Sequence, residues 1–200
     1  RIDGQAPITV TTDINGNWFY TPLAPLSEGM HTLTVTSSDS VGNTSAPVSV
    51  SFTIDTMAPI LTILTPADGS TTGSEPLITG QADPNATITL YIDASPAVEV
   101  TADATGSWQY TLPLPLAQGP HTIEAITEDV AGNLATDTVS FTVDTMAPTI
   151  TIDTPVPNAL VRDPTPTISG TSEPGATVVV RVGDTILGTT TADAQGDWSI

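Results

Sequence analysis

Residues 101–108 read TADATGSW, and the same phrase stands as TTDINGNW at 11–18 and as TADAQGDW at 191–198. The spacing is 90 residues both times, so Trp18, Trp108 and Trp198 mark one ruler laid along the chain. Gly29 and Gly119, His31 and His121, Asp39 and Asp129, and Gly42 and Gly132 fall on the same ruler. A second phrase, SFTIDTMAP at 51–59 and SFTVDTMAP at 140–148, returns after 89 residues, so one residue is lost between GN and SF. A loop or bulge changes length there.

A unit of that length can form one small sandwich, and a tandem array of such units gains stability within each unit and at nearest-neighbour contacts. Each MAP element closes a strand-like run at Asp55 or Asp144, and Pro59 or Pro148 introduces the next unit. The expected division is therefore the later part of one domain at 1–56, a complete domain at 57–145, and the early part of a third at 146–200. Arg1 stands in register with Tyr91 and Arg181, which starts the chain inside a strand of the first domain.

Composition narrows the class. Fifteen glycines and 18 prolines with abundant threonine and valine disfavour helices and suit short strands joined by turns. The absence of cysteine removes disulfides, thiolate metal sites and cysteine nucleophiles. The formal charge of −19, with three Arg+Lys, excludes a nucleic-acid groove or a contact with an anionic membrane. There is no run of 18 apolar residues, and residues 1–30 lack the pattern of a secretory signal. The segment is thus expected neither to insert into a membrane nor to carry its own targeting.

Within the complete unit, turn residues bound seven strands: A at 59–65, B at 76–82, C at 86–92, D at 97–102, E at 107–112, F at 120–128 and G at 134–143. In G, Val139, Phe141 and Val143 alternate with Ser140 and Thr142, so one face packs inward; in F, Ile123 and Ile126 leave the phase open. Seven strands imply an all-β architecture of tandem immunoglobulin-like Greek-key sandwiches without disulfides, with a fibronectin-like strand order as the alternative.

Alternating strand directions gather loops BC, DE and FG at the end where A begins. This places the linker residue Asp55 beside Asp83, Asp103 and Asp129. Asp144, Glu173 and Asp193 repeat the arrangement at the next junction. Converging carboxylates are expected to raise one another's pKa unless a cation intervenes. The complete unit holds no lysine or arginine to serve. Calcium accepts 6–8 oxygen ligands in flexible geometry and fits such a cluster better than magnesium does. The competing reading is that these residues cap turns in the ordinary way and face solvent. The tryptophans suit a core plug better than a sugar platform. His31 and His121 suit strand-edge hydrogen bonding better than catalysis. Asp68, Glu75 and Asp93, toward the opposite end, suit turn or solvent roles better than a second ion site. No hydrolase elbow, zinc-protease helix or phosphate loop points to an enzyme.

The DxxGN phrases, DSVGN at 39–43 and DVAGN at 129–133, followed by SFTIDTMAP or SFTVDTMAP, resemble the bacterial immunoglobulin-like repeats of giant surface adhesins exported by type I secretion. That resemblance implies a non-fimbrial adhesin on the bacterial cell surface, with many sandwiches projecting a distal region toward a host glycan or receptor and calcium at the domain junctions. By motif it carries the linker acids onto Asp55 and Asp144 and the DxxGN acids onto Asp39 and Asp129; at Glu173 glutamate replaces aspartate. Neighbouring repeats are the immediate partners it implies. Similar repeats also serve as spacers beside enzymes, and a carbohydrate-binding sandwich module is the runner-up function.

Overall fold

A computed structural model describes residues 1–95 and 97–200. The chain divides into two compact units, Arg1–Val143 and Asp144–Ile200. Among the described residues every regular element is a strand.

The first unit opens with a hairpin of β1 (Gly29–Val35) and β2 (Val48–Ile54), paired antiparallel from Gly29↔Ile54 to Val35↔Val48. The complete repeat follows as β3 (Leu61–Thr65), β4 (Thr71–Thr72), β5 (Ile78–Ala82), β6 (Thr87–Ile92), β7 (Val98–Thr101), β8 (Ser107–Tyr110), β9 (Gly119–Glu128) and β10 (Leu134–Val143). These form a three-stranded sheet in the order β3-β5-β8 and a five-stranded sheet in the order β4-β10-β9-β6-β7. Strand pairs are antiparallel except β4, which lies parallel to β10.

The seven expected strands are all present, shortened by a residue or two at some ends. The eighth, β4, spans two residues and is too short to carry a periodicity. The strand read as D is β7, and it pairs with β6. It therefore joins the sheet of C, F and G, in contrast to the constant-type immunoglobulin order, where D sits beside E. The turn explains this choice. Asp93 and Ala94 both have positive φ, 51° and 56°, and Ser95 N–H donates to the Ile92 carbonyl at 2.9 Å. Two successive positive φ values make the turn whose twist matches a tight hairpin, so consecutive strands pair.

The core lies between the two sheets. Ile63, Ile78, Ala82 and Trp108 come from one side; Ile88, Leu90, Ile123, Val139, Phe141 and Val143 come from the other. Ile78, Ile88, Leu90, Ile123 and Val143 are the largest fully buried side chains, each contributing about 1.5–3 kcal/mol by removal from water. The inward face of β9 is His121, Ile123, Ala125 and Thr127, which settles the phase: Ile126 lies on the outer face.

Trp108 fills the core because of a glycine across the sheet. Gly80 pairs with Trp108, and a Cβ on Gly80 would lie 2.1 Å from the Thr62 carbonyl oxygen and 2.2 Å from the indole. Contacts that short require any side chain there to displace the ring or the backbone.

The second unit has β11 (Ser169–Thr171) paired with β14 (Asp197–Ser199), and β12 (Thr177–Val182) paired with β13 (Thr185–Thr191). Gly170 faces Trp198 as Gly80 faces Trp108, again 90 residues apart. Val178, Ala192 and Trp198 form its core.

Candidate functional site: the loops around the linker

The DxxGN loop is built by its own aspartate. Asp129 Oδ1 accepts the N–H groups of Ala131 at 2.8 Å and Asn133 at 2.9 Å, and Oδ2 accepts the Asn133 side-chain amide at 2.8 Å. Gly132 N–H closes the turn on the Asp129 carbonyl at 3.2 Å. Asp39 makes the same loop through Val41 and Asn43. This is the aspartate turn chemistry expected of the residue type, used here to fold the five-residue connection, 129–133, between β9 and β10.

Three bonds bring the loops and the linker to one end of the complete repeat. Asn133 donates its amide to the main-chain carbonyl of Asp55 at 3.2 Å. Asp83 Oδ2 accepts from Ile60 N–H at 3.1 Å, and Asn85 N–H donates to the Asp103 carbonyl at 3.3 Å. The expected gathering of linker, BC, DE and FG loops is thus present at the level of the chain path.

The carboxylates themselves are directed to nearby N–H and O–H donors. Asp103 Oδ1 accepts from Thr105 N–H, Thr105 O–H and Ser107 N–H at 2.7, 2.6 and 3.0 Å. Asp55 Oδ1 accepts from Met57 N–H at 3.1 Å. In the second unit Asp144 accepts from Met146 N–H at 2.9 Å, and Asp193 accepts from Gln195 and Asp197 N–H, both at 2.9 Å. The Glu173 carbonyl closes a turn with Ala176 N–H at 3.0 Å, and Ala192 N–H bonds the Ala176 carbonyl at 2.9 Å. Among the described residues no group of three or more His, Asp or Glu side chains is arranged to hold a metal ion.

This geometry corrects the expected electrostatics. Convergence was expected to push these carboxyls up, yet Asp103 is lowered from the usual 3.8, chiefly by the Thr105 hydroxyl and then by Thr105 and Ser107 N–H. Asp129 and Asp39 are lowered by the side chain and then the backbone of Asn133 and Asn43. Hydrogen bonds to the charged form outweigh desolvation in these loops. The donor set remains all-oxygen and hard, which fits calcium chemically.

Two features escaped the sequence reading. Asn43 and Asn133 were visible as the last letter of DxxGN, but their bonding role was not. Asp3 and Asp93 bond His31 and His121; the shared 90-residue spacing was the signal that could have linked them. Trp108 and Trp198 are buried, as expected of core plugs, and Trp108 at 3% exposure offers no sugar platform.

The two sheets, the missing disulfides and the tandem copies define a class: repeated all-β sandwiches of immunoglobulin type. The sequence matches the bacterial Ig-like domain over residues 1–56 and 64–145, and the bacterial Ig domain over 153–200. The chain belongs to the bacterial Ig-like domain family. It is 38% identical over 104 residues to halomucin of Haloquadratum walsbyi, a match covering 51% of this chain and 1% of that protein. Among solved structures it is similar to a tetra-tandem repeat in the extending region of a large adhesion protein, with a TM-score of 0.42, 24% identity, and 94% of this chain and 56% of that one covered. It is also similar to a Ca2+-stabilized adhesin with which an Antarctic bacterium reaches out and binds ice, with a TM-score of 0.35, 24% identity, and coverage of 86% and 48%.

Proposed function

We propose that this chain is a stretch of the calcium-stiffened repeat stalk of a bacterial non-fimbrial surface adhesin, divided as 1–56, 57–145 and 146–200. In this reading it is a non-enzymatic spacer, secreted and held at the cell surface, whose direct partners are neighbouring repeats. A distal region of the same protein would meet the host glycan or receptor. The observation that carries the reading is the Asn133 bond to the Asp55 carbonyl, which ties the linker to the FG loop of the repeat it enters. Modest domain interfaces otherwise leave relative motion free.

Asp55, Asp83, Asp103 and Asp129 would hold a calcium ion at the first junction; Asp144, Glu173 and Asp193 would contribute at the next, and Asp39 at the preceding one. When bound, the ion supplies positive charge that the complete repeat lacks. The side chains would exchange bonds to their own loops for the cation, and the linker would lose a bending freedom. Calorimetric titration of the chain with calcium chloride tests this. The expected result is saturable binding that Asp83→Asn combined with Asp129→Asn weakens at least tenfold, the size of about 1.4 kcal/mol of lost interaction. Equal heats for the native and doubly substituted chains would overturn the assignment. The buried Trp108 weighs against the carbohydrate-module alternative.

A further inference from the structure

We propose that His31 and His121 are held as doubly protonated imidazolium ions, each latching shut the end of its repeat from which the linker leaves. The observation is one of bonding roles. His121 Nδ1 lies 2.6 Å from Asp93 Oδ2, and Nε2 lies 2.7 Å from the Ala117 carbonyl oxygen. His31 repeats the geometry with Asp3 Oδ2 at 2.6 Å and the Ser27 carbonyl at 2.7 Å. A carbonyl oxygen can only accept, so Nε2 carries a proton.

Nδ1 faces a carboxylate whose other oxygen already accepts a main-chain N–H, from Thr122 at 2.9 Å or Thr32 at 2.8 Å. The Thr32 bond holds the Asp3 carboxyl below its usual value, so the proton shared with His31 resides on the ring, and the same donors surround His121. A neutral imidazole, with one N–H, would leave one of its two acceptors without a donor. The imidazole is sheltered while its carboxylate reaches solvent: His31 is 5% exposed and His121 9%, each with its ring 5.8 Å from the phenyl ring of Phe52 or Phe141, whereas the Asp3 and Asp93 side chains are 38% and 40% exposed.

The groups facing each imidazole come from three elements. Around His121 they are Asp93 in the β6–β7 turn, the Ala117 carbonyl ahead of β9, and Phe141 on β10; Asp93 is the titratable one. Around His31 they are Asp3 in the opening turn, the Ser27 carbonyl, and Phe52 on β2; the Glu28 carboxylate beside Ser27 is directed to Thr56. Burial opposes the charge on His121, but Asp93 and the Ala117 carbonyl outweigh it and leave the imidazole above its ordinary 6.5. His31 is raised first by the Ser27 carbonyl and then by Asp3.

The latch sits where the chain exits. His31 pairs with Phe52 near the end of β2, and His121 pairs with Phe141 near the end of β10. In the first copy the loop is a relay. Ser27 accepts from His31, and its neighbour Glu28 accepts from the backbone N–H and the hydroxyl of Thr56, the residue after Asp55. When His31 becomes neutral its one remaining N–H stays on Nδ1 against the Asp3 carboxylate, so Nε2 loses its proton and the Ser27 loop that holds the linker loses its donor. A raised histidine pKa makes the latch's stabilisation complete below the ordinary value of 6.5, and it is lost as pH rises through the folded value.

The test is nitrogen-15 NMR of the imidazole rings in the full chain, native and Asp93→Asn. The expected spectra show both ring nitrogens of His31 and His121 protonated at pH 6, with both midpoints above 6.5. In Asp93→Asn the His121 midpoint falls to 6.5 or below, while that of His31 stays in place as an internal control. A single protonated nitrogen on either ring at pH 6, or a His121 midpoint indifferent to the substitution, would overturn the proposal. If Asp93→Asn does not fold, the native spectra decide it alone. The linker half is read from the Thr56 amide. Once the intrinsic pH dependence of exchange is removed, its protection should drop about fivefold across the His31 titration, the size of one net hydrogen bond. Constant protection would contradict the relay. Neither readout depends on calcium, so failure here is distinguishable from failure of the stalk reading.

Discussion

The β1–β2 hairpin and the β9–β10 hairpin share a sequence phrase and a register, yet one is exposed and the other buried. Phe52 is 37% exposed and its counterpart Phe141 is 3%; Trp18 is 44% exposed and Trp108 is 3%. The local bonds are the same in both: the histidine latch, the DxxGN turn and the pairing of histidine with phenylalanine all survive in the half-repeat. What differs is the opposing sheet. Trp108 lies against Gly80 and Thr62 on β5 and β3, and that opposing sheet is what buries it. Turns and ladders are thus set within a few tens of residues, whereas the core requires both sheets.

Core substitutions break this comparison most forcefully. Trp108→Ala is expected to destabilise the complete repeat by about 3–5 kcal/mol in chemical denaturation, and Trp18→Ala by less than about 1. Gly80→Ala should approach the Trp108 effect, since its added methyl meets backbone and ring together. Phe141→Ala belongs in the same range, about 3–5 kcal/mol, with Phe52→Ala costing under half as much. Equal costs within either pair would show that the half-repeat has a core of its own.

Asn133→Ala and Asn43→Ala offer a finer contrast. Both remove the amide bond to the loop aspartate, but Asn133 also bonds the Asp55 carbonyl. The expected difference is about 1 kcal/mol, one net hydrogen bond, together with faster exchange at linker amides in Asn133→Ala alone.

The smallest effects are those of pH. Asp39, Asp103 and Asp129 have lowered carboxyls, so their contribution stands above 3.8 and is lost as pH falls through their folded values. The histidines contribute below 6.5 and lose their effect as pH rises through their raised values. Melting temperature should therefore be highest between the two and decline on both sides; a monotonic rise toward alkaline pH would contradict the histidine assignment.

Strand positions, the inward face of β10 and the Trp108 and Trp198 plugs were legible because alternation, turn residues and internal duplication all act locally; Trp18, expected as a plug on the same ruler, is 44% exposed. The phase of β9 was not, since its inward positions include His121, Ala125 and Thr127 while Ile126 faces out. Apolarity alone misleads when a buried polar pair occupies the core edge. The acidic loops were placed at the right end, but their charge balance was misjudged. Sequence shows carboxylates and the lack of lysine; it does not show the N–H and O–H groups that Asp103 and Asp129 gather around themselves.

Whether calcium stiffens the junctions is decided most directly by small-angle X-ray scattering of the 200-residue chain, first in chelator and then in excess calcium. The stalk reading predicts a longer maximum dimension and a narrower spread of interdomain angles with calcium, both lost in Asp83→Asn with Asp129→Asn. Identical scattering in chelator and in calcium would contradict it.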